Sequence, residues 1–323
     1  MPSPSAALST LRPDIADCFQ EFDLEMNQRG FIASRVFPVF EVASQAGKYG
    51  KLTVEQLLQQ RDTARAPGSG YSRGSFKFTS ASFATEENGT EEVVDERESR
   101  MYANYLQAES IAASRAFNIV LQNYEQRVAA AVFNATTFTS NTTAVTNEWD
   151  DLANADPAAD IEAAVQAVYD ASGLWPDSLI LNRKVFRNLR NCESIIDRVK
   201  YQGFMDARAG NITESQLSAV FDIANIIVAG SSKNTANEGQ AAAFAQNWSG
   251  EYAMVAKICR SGDIREPGLG RTFHWGEDGS TIGGTFESYE EAAVRGTVVR
   301  VRHDTDEQIL FVEAGHLLSN ITT

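Results

Sequence analysis

Three histidines, His274, His303 and His316, are the candidates for a general base in this 323-residue sequence. With a serine and an aspartate, one of them could form a hydrolytic triad. However, the sequence contains no G-x-S-x-G nucleophile elbow, and the histidines lack the spacing of metal ligands. All three lie in segments typical of strands or loops. We therefore predict structural histidines, either on the surface or held by hydrogen bonds.

Glycine-rich and acidic stretches are the next candidates for chemistry. "APGSGYSRGS" (66–75) lacks the G-x-x-x-x-G-K-[ST] pattern of a phosphate loop, and "GLGRTFHWG" (268–276) lacks the dinucleotide fingerprint. "DTDEQILFVE" (304–313) begins like a calcium loop, but Ile309 stands where such a loop needs glycine. These departures predict no catalytic residue, no cofactor and no metal site.

The composition is that of an acidic globular protein. Hydrophobic residues make up 43% and charged residues 22%, and the formal net charge is −15, which argues against a broad nucleic-acid-binding face. We expect neither a membrane span nor a secretory signal, because no apolar run is long enough and the N-terminus lacks a basic region before an apolar core. Cys18, Cys192 and Cys259 are far apart and odd in number, which predicts reduced thiols in a cytoplasmic product.

Residues 43–80 form a long polar stretch without a helical or strand-like core pattern. The segments on either side, 29–43 and 75–87, alternate as strands do. Connections of this length are uncommon in compact domains and are usually functional or disordered. We therefore expect an arm that the chain's own core does not complete. Its cations include Lys48, Lys51, Arg61, Arg65 and Arg73.

Residues 95–134 predict one long helix, because they are rich in helix formers and lie in a region without glycine or proline. Asp95 and Glu98 predict a capping box. The predicted apolar stripe comprises Tyr105, Ala108, Ala112, Ala116, Ile119, Val120, Tyr124, Val128 and Val132. The acids that precede this helix are predicted to be solvated carboxylates at its start, where the helix dipole favours them, rather than a metal site.

A compact α/β region follows. Asp156 before Pro157 predicts the start of a helix and Gly173 its end. Apolar runs at 177–182, 222–230 and 250–260 predict buried strands, with a further helix capped by Asn182.

The C-terminal residues 294–320 predict a hairpin. Val299 and Val301 alternate with Arg300 and Arg302, residues 304–308 form a polar tip, and "ILFVE" returns.

Three groups of motifs, in this order, resemble the major capsid proteins of tailed bacteriophages, which have the Hong-Kong-97-type fold. The first is "GFIASRVFPVFEV" with "KYGKLT", "RAPG" and "FATEENGTEEVVDERE" before the long helix. The second is "DIEAAVQAVYDASGLWPDSLILNRKVFRNLRNCESIIDRVKY". The third is "DIANIIVAGSSKNTANEG", followed by "NWSGEYAMV", "VVRVRHD" and "EAGHLLSN". No motif is diagnostic alone. Their order and spacing carry the resemblance, from about residue 30 to residue 320.

The resemblance implies an α+β fold with an N-terminal arm, an extended β-hairpin loop, a spine helix, a peripheral domain and an α/β axial domain. The loop would lie over a neighbouring subunit, and Trp248 and Trp275 would pack in the axial domain. The implied segments are 1–42 (N-terminal arm and the strand leading into the loop), 43–80 (extended loop), 81–150 (peripheral domain, with the spine helix at 95–134), 151–290 (axial domain) and 291–323 (C-terminal hairpin completing the peripheral domain).

The implied function is assembly as hexamers and pentamers into an icosahedral shell around the double-stranded DNA of a tailed phage. We expect a non-enzymatic virion capsid protein, assembled in the host cytoplasm, whose main partner is itself. The arm cations are predicted either to meet acids at 86–96 of a neighbouring copy or to remain independent solvated charges. The interface candidates are Lys48, Tyr49, Lys51, Arg61, Arg65, Arg73, Glu86, Glu87, Glu91, Glu92, Arg300 and Arg302.

Further partners follow from the resemblance. Some members carry a cleaved scaffolding segment, whereas this sequence begins almost directly with the N-terminal arm, which predicts a separate scaffolding protein or none. A portal and a decoration protein are further implied partners. No lysine–asparagine crosslink is predicted, because neither Lys48 nor Lys51 aligns clearly with the crosslinking lysine of some members. The acidic charge predicts that DNA is enclosed without specific binding. We expect no membrane partner, because no apolar run is long enough to span one.

Two alternatives remain open. An encapsulin uses the same fold for a cellular compartment and would carry a cargo-docking site in its N-terminal segment, where we recognise none. A soluble α/β enzyme would need the catalytic motifs that the sequence lacks.

Overall fold

The computed structural model describes residues 30–51, 58–75, 79–102, 108–201, 212–237, 239–277, 279, 281–293 and 295–322. Helices in these residues are α1 (Ala33–Val36), α2 (Glu96–Tyr102), α3 (Ala108–Val132), α4 (Pro157–Ser172), α5 (Arg183–Asn191), α6 (Glu193–Tyr201) and α7 (Glu214–Phe221). Strands are β1 (Val39–Val42), β2 (Ala46–Lys51), β3 (Thr79–Ala84), β4 (Glu86–Asp95), β5 (Thr142–Ala144), β6 (Ser178–Asn182), β7 (Asn225–Ala229), β8 (Ser232–Asn234), β9 (Phe244–Gln246), β10 (Ala253–Ala256), β11 (Gly270–Trp275), β12 (Thr285–Glu291), β13 (Gly296–Ile309) and β14 (Gly315–Ser319).

Sheet I is built around the long strand β13. This strand pairs antiparallel with β4, β12 and β11, and β1 adds to β11 in parallel. β12 pairs with residues 296–302 of β13, and β11 pairs with residues 305–309 of the same strand. β12 and β11 therefore lie one after the other along the same edge of β13.

Sheet II has the strand order β5-β14-β10-β6-β7. Both of its faces are covered, because successive residues of β6 enter two different cores. Leu179 and Leu181 pack among the helices α4 to α7, whereas Ile180 packs with residues of α3. Burial on both faces explains why "SLILN" is a continuous apolar run rather than an alternating one.

Helix α3 connects the two sheets. Its N-terminal half packs on sheet I, where Ala116 and Val120 contact Val301. Its C-terminal half joins the core beneath sheet II through Val128 and Val132. The predicted stripe is confirmed along α3, although Ala108 and Ile119 are only half-buried. Residues 103–107, including Tyr105, lie outside the described residues, so the continuity of the predicted long helix stays a prediction.

Local capping signals set several helix bounds as expected. The side chain of Asp156 accepts a hydrogen bond from the Ala159 N–H at 3.3 Å, and α4 ends at Gly173 with a φ of 69°. Asn182 Oδ1 accepts from the Val185 N–H at 2.8 Å. Asp95 accepts from the Arg97 N–H at 2.7 Å, whereas the Glu98 side chain of the predicted capping box lies outside the described residues.

The acids before the long helix lie on a strand, so their predicted place at the helix start was wrong, although a helix does begin at Glu96, next to the predicted cap Asp95. β4 carries them and pairs residue by residue with β13, from Glu86 opposite Thr305 to Asp95 opposite Gly296. β4 and β13 are far apart in sequence. The helix-dipole argument considers only residues next to the helix, so it could not predict this pairing. A second local error concerns residues 29–43, where the helical turn α1 precedes the expected strand β1.

The predicted C-terminal hairpin was also wrong. β13 continues through the expected polar tip, because its polar residues find partners in the sheet and in α3. Asp306 accepts a hydrogen bond from the Ala84 N–H at 2.9 Å, and Glu307 pairs with Arg127 at 2.9 Å.

The expected segment boundary between residues 290 and 291 does not follow the sheets. β11 and β12 belong to sheet I, and β14 belongs to sheet II. Trp275 accordingly ends a strand of sheet I, whereas Trp248 is fully buried in the core beneath sheet II.

Candidate assembly interface

The base of the arm rests on the chain's own sheet I. β2 and β3 form an antiparallel hairpin, from Ala46 opposite Ala84 to Lys51 opposite Thr79. Phe83 stacks on the buried Phe273 at a centroid distance of 4.9 Å, and Tyr49 lies 5.6 Å from the same ring. These contacts fix where the arm leaves the body of the protein, so part of the stretch expected to lack a core is packed.

The outer arm, residues 58–75, differs from its base. Every residue in it is exposed, and it forms no helix or strand. Its recorded polar contacts are mainly local: Arg65 donates a hydrogen bond to the Ser69 carbonyl at 2.6 Å and lies over the Tyr71 ring. Leu58, 66% exposed, lies beside Gly173 at the end of α4. The expectation of an arm without its own core therefore holds for the outer arm.

The predicted interface cations divide between these two parts. Lys48 is exposed on β2, and the Lys51 ammonium lies 4.5 Å from the centroid of the Phe311 ring. Arg61, Arg65 and Arg73 belong to the exposed outer arm. Their pairing with a neighbouring copy stays a prediction.

Three of the four predicted interface acids, Glu87, Glu91 and Glu92, form ion pairs within the chain, and the fourth, Glu86, is exposed on β4. Glu91 and Glu287 stand opposite Arg300 on the two strands that flank β13, and Arg300 pairs with Glu91 at 2.6 Å and with Glu287 at 3.6 Å. Exposed cross-strand pairs of this kind contribute little stability individually. Three further ion pairs link this surface: Glu92–Arg115 (3.5 Å), Glu87–Arg302 (3.7 Å) and Glu287–Arg302 (3.0 Å).

A buried carboxylate that the sequence analysis missed joins three parts of the chain. Glu125 is fully buried on α3, and its oxygens accept hydrogen bonds from the N–H groups of Ile32 (2.9 Å) and Ala33 (2.8 Å) and from the indole of Trp248 (2.6 Å). Burial raises the pKa of the Glu125 carboxyl, and the three donors oppose that rise. Glu125 interrupts an apolar stripe, and this interruption was the available sequence signal.

Arg127, also on α3, organises a second polar cluster against β13. Its guanidinium donates to both carboxylate oxygens of Glu307, at 2.9 and 3.0 Å, and to Thr305 at 3.0 Å. It lies 3.2 Å from Nε2 of His303, whose Nδ1 lies 3.1 Å from the Ile282 carbonyl. Burial lowers the pKa of His303 to about 4, so this imidazole is neutral at pH 7.

The other two histidines are also buried and hydrogen-bonded. His274 Nδ1 lies 2.7 Å from a carboxylate oxygen of Glu41, and His316 Nε2 lies 2.9 Å from the Thr143 hydroxyl. The prediction of histidines held by hydrogen bonds is confirmed, and none of the three is on the surface. Among the residues that the structure describes, no group of three or more His, Cys, Asp or Glu side chains could hold a metal ion.

Two of the cysteines expected to be reduced are described. Cys192 and Cys259 are buried and free, and Cys18 lies outside the described residues. None of the helices described here is long and apolar enough to cross a membrane.

Large apolar side chains exposed at the surface are a further signal of association. Trp175, 61% exposed, stacks on Tyr169 at 4.6 Å beside the end of α4, near Leu58 of the outer arm. Phe244 is 77% exposed on β9. Single exposed apolar residues are ordinary, but the grouping of Trp175, Tyr169 and Leu58 is typical of a contact surface.

Comparisons with known proteins identify the architecture. A phage-related protein from Bordetella bronchiseptica superposes with a TM-score of 0.67 at 21% identity, covering 96% of this chain and 97% of that one. The capsid structure of cyanophage P-SCSP1u gives 0.59 at 12% identity, over 88% and 86% of the two chains. The SrpI encapsulin complex from Synechococcus elongatus gives 0.54 at 9% identity, over 97% and 96%. No protein-family model and no curated protein matches the sequence. The similarity establishes the fold and confirms the fold class expected from the sequence.

Proposed function

We propose that this chain, which has the Hong-Kong-97-type capsid fold, is the major capsid protein of a tailed bacteriophage. Copies of it would assemble as hexamers and pentamers into an icosahedral shell around double-stranded DNA. The observation that supports this most strongly is the outer arm, all of whose residues are exposed although the fold matches a capsid subunit over 88% of this chain and 86% of that one. A long arm without a core is expected where a neighbouring copy provides the surface that it covers.

The proposed mechanism is symmetric association without catalysis. Each copy makes the same contacts with its neighbours, and simultaneous engagement of several neighbours multiplies modest affinities. The arm base packs on sheet I, and the surface around Trp175 offers apolar area for a contact. In this proposal, sheet I with α3 forms the peripheral domain and spine, and sheet II with α4 to α7 forms the axial domain.

The proposed partners extend beyond the chain itself. A separate scaffolding protein, a portal and a decoration protein would complete the particle, and DNA would be enclosed without specific binding. The net charge of −15 supports weak contact with DNA, since phosphate binding needs clustered cations. Purified subunits should therefore show no strong, salt-sensitive binding to duplex DNA in a filter-binding assay, and such binding would contradict this part of the proposal.

The direct test of shell formation is electron microscopy of the full chain after overexpression, with sedimentation analysis of the same sample. We expect uniform closed polyhedra that sediment far ahead of the single subunit. A chain that stays monomeric at every concentration and ionic strength, with or without a co-expressed scaffolding protein, would contradict the proposal.

An encapsulin-type compartment is the second candidate, supported by the similarity to the SrpI complex. The two candidates differ in what their shells hold. Shells purified from the natural source should contain duplex DNA if the chain is a phage capsid protein, and a stoichiometric cargo protein if it is an encapsulin. Nuclease-resistant DNA and mass spectrometry of the contents distinguish them.

A further inference from the structure

A polar cleft of about 330 Å³ is lined by residues of α5 and by one residue of β9. Three of the lining side chains are cations and three are amides, and no described acid or apolar side chain takes part. The lining comprises Arg183, Lys184, Arg187, Asn188, Asn191 and Gln246. The cleft therefore concentrates positive charge on a chain whose formal net charge is −15.

Two arginines in this cleft have no partner among the described residues. Arg183 and Arg187 lie one turn apart on α5, about 6 Å along its axis, and both are exposed. No described acid forms an ion pair with either of them. Arginines elsewhere, such as Arg115, Arg127 and Arg300, do pair with acids of the chain. The two guanidinium groups thus keep their charge and their N–H donors for a ligand.

Asn182, which caps α5, fixes which group Gln246 can offer to a ligand. Its Oδ1 accepts from the Val185 N–H at 2.8 Å, and its amide nitrogen donates to Gln246 Oε1 at 2.6 Å and to the Trp248 carbonyl at 3.1 Å. Because the Gln246 oxygen is engaged, this side chain has its amino group, with two N–H donors, left to offer. No described residue accepts a hydrogen bond from that amino group.

Cations and N–H donors lining one cleft select an oxyanion. A guanidinium binds phosphate oxygens through two parallel N–H donors, so geometry adds to charge. A nucleoside base would need an aromatic or apolar surface to stack on, and the described lining has none. An acidic polypeptide would bring apolar side chains that also need such a surface. Exposed cations hold a single phosphate weakly, whereas a chain of phosphates releases counterions at every contact.

We propose that this cleft binds the phosphodiester backbone of nucleic acid, without regard to base sequence. Arg183 and Arg187 would each contact a phosphate group, and Gln246 would donate a hydrogen bond to a phosphate oxygen. A site with so few phosphate contacts binds weakly, which agrees with the weak contact with DNA expected from the net charge. This inference concerns the single subunit and does not rest on shell formation.

Fluorescence anisotropy of a short labelled oligothymidylate, titrated with the unassembled full chain at several salt concentrations, tests the proposal. We expect a Kd of about 10⁻⁴ M at low salt. Arg183→Gln combined with Arg187→Gln should weaken binding at least about fivefold. It should also reduce the slope of log K against log salt by about 1.4, since each phosphate contact on a single strand contributes about 0.7. Arg187→Gln alone should give about half of that change in slope.

Arg35→Gln combined with Arg265→Gln is the matched control, because it removes two exposed arginines that lie outside the cleft. Binding by this control should weaken by less than about twofold, since exposed charges far from the ligand are screened by salt. No binding by the native chain, or an equal loss in both arginine pairs, would overturn the proposal.

Competition at matched ionic strength identifies the occupant. Inorganic phosphate and polyglutamate, each at the same concentration of charged groups as unlabelled oligothymidylate, should displace the probe less than the oligonucleotide does. Stronger displacement by inorganic phosphate would assign the cleft to a free phosphate, and stronger displacement by polyglutamate would assign it to an acidic polypeptide. Either result would overturn the proposal.

Discussion

The outer arm and the junction around Glu125 are opposite extremes of the same chain. Residues 58–75 are exposed throughout and use their polar groups on one another or on solvent. At the junction, Glu125 is fully buried and ties α3 to the backbone of α1 and to Trp248. Contacts within one chain thus determine the conformation of the junction. They do not determine the conformation of the outer arm. Changes at the junction should affect the folding of the subunit, whereas changes in the outer arm should affect only its association.

The largest effect on folding is expected at the junction. Glu125→Ala removes the acceptor of two backbone N–H groups and one indole in a buried site, which should lower the free energy of unfolding by about 4–5 kcal/mol. Urea denaturation of the unassembled chain measures this change. Glu125→Gln, which keeps one carbonyl acceptor, should lose only about 1–2 kcal/mol. If the alanine variant were as stable as the native chain, the junction would be no more important for folding than the outer arm.

The arm base should behave like the junction rather than like the outer arm. Phe273 is fully buried beneath Phe40, Tyr49 and Phe83, so Phe273→Ala should lower the free energy of unfolding by about 3–4 kcal/mol. Phe273→Leu is the matched control and should lose less, because it leaves a smaller cavity. A negligible change in the free energy of unfolding of the alanine variant would mean that the arm base does not belong to the core of the subunit.

The acid stability of the core should depend on His303. Burial lowers its pKa from 6.5 to about 4, so below pH 6.5 the unfolded chain takes up a proton that the folded chain does not. The contribution of the neutral His303 to the free energy of unfolding is therefore complete above pH 6.5. It decreases by about 2–3 kcal/mol as the pH falls towards 4. Denaturation at several pH values compares the native chain with His303→Gln.

The difference between these two chains isolates His303, because both chains share the other buried titratable groups, among them Glu125 and Asp306, whose carboxyl pKa values are raised by burial. The stability difference between the chains should narrow, or favour His303→Gln, as the solution is acidified. A difference that stays constant from pH 7 to pH 4 would show that His303 protonates equally in both states.

The smallest effect on folding is expected in the outer arm. Reversal of Arg61 and Arg65 to Glu alters exposed side chains, so the free energy of unfolding should change by less than about 0.5 kcal/mol. The same variant should nevertheless impair shell formation in electron micrographs, because the proposed neighbour presents acids. Arg183→Glu, an exposed cation on α5 outside the arm, is the matched control. Normal shells from the arm variant would remove the proposed role of these arginines.

Local signals in the sequence predicted the elements whose causes are local. Asp156, Gly173 and Asn182 set helix bounds within a few residues of themselves, and the stripe along α3 repeats every four residues. The buried role of Glu125 was missed because its partners, Ile32 and Trp248, lie 93 and 123 residues away. Polar residues 304–308 resembled a turn for the same reason, since Asp306 and Glu307 are satisfied by the arm base and by α3.

The candidate interface could be predicted only in part. The arm and its cations follow from composition, because a long polar stretch with many glycines has too little apolar surface for a core. The acids of β4 could not be placed, since their position depends on register with a strand two hundred residues later. Trp175 and Tyr169 gave no sequence signal of exposure, because aromatic residues near a helix end are more often buried.

Hydrogen exchange of the unassembled subunit and of the assembled particle tests the central claim most directly. We expect residues 58–75 to exchange rapidly in the free subunit and to become protected in the particle, while the peptides around Glu125 are equally protected in both. Rapid exchange of residues 58–75 in a fully assembled particle, or strong protection of them in the free subunit, would contradict the account.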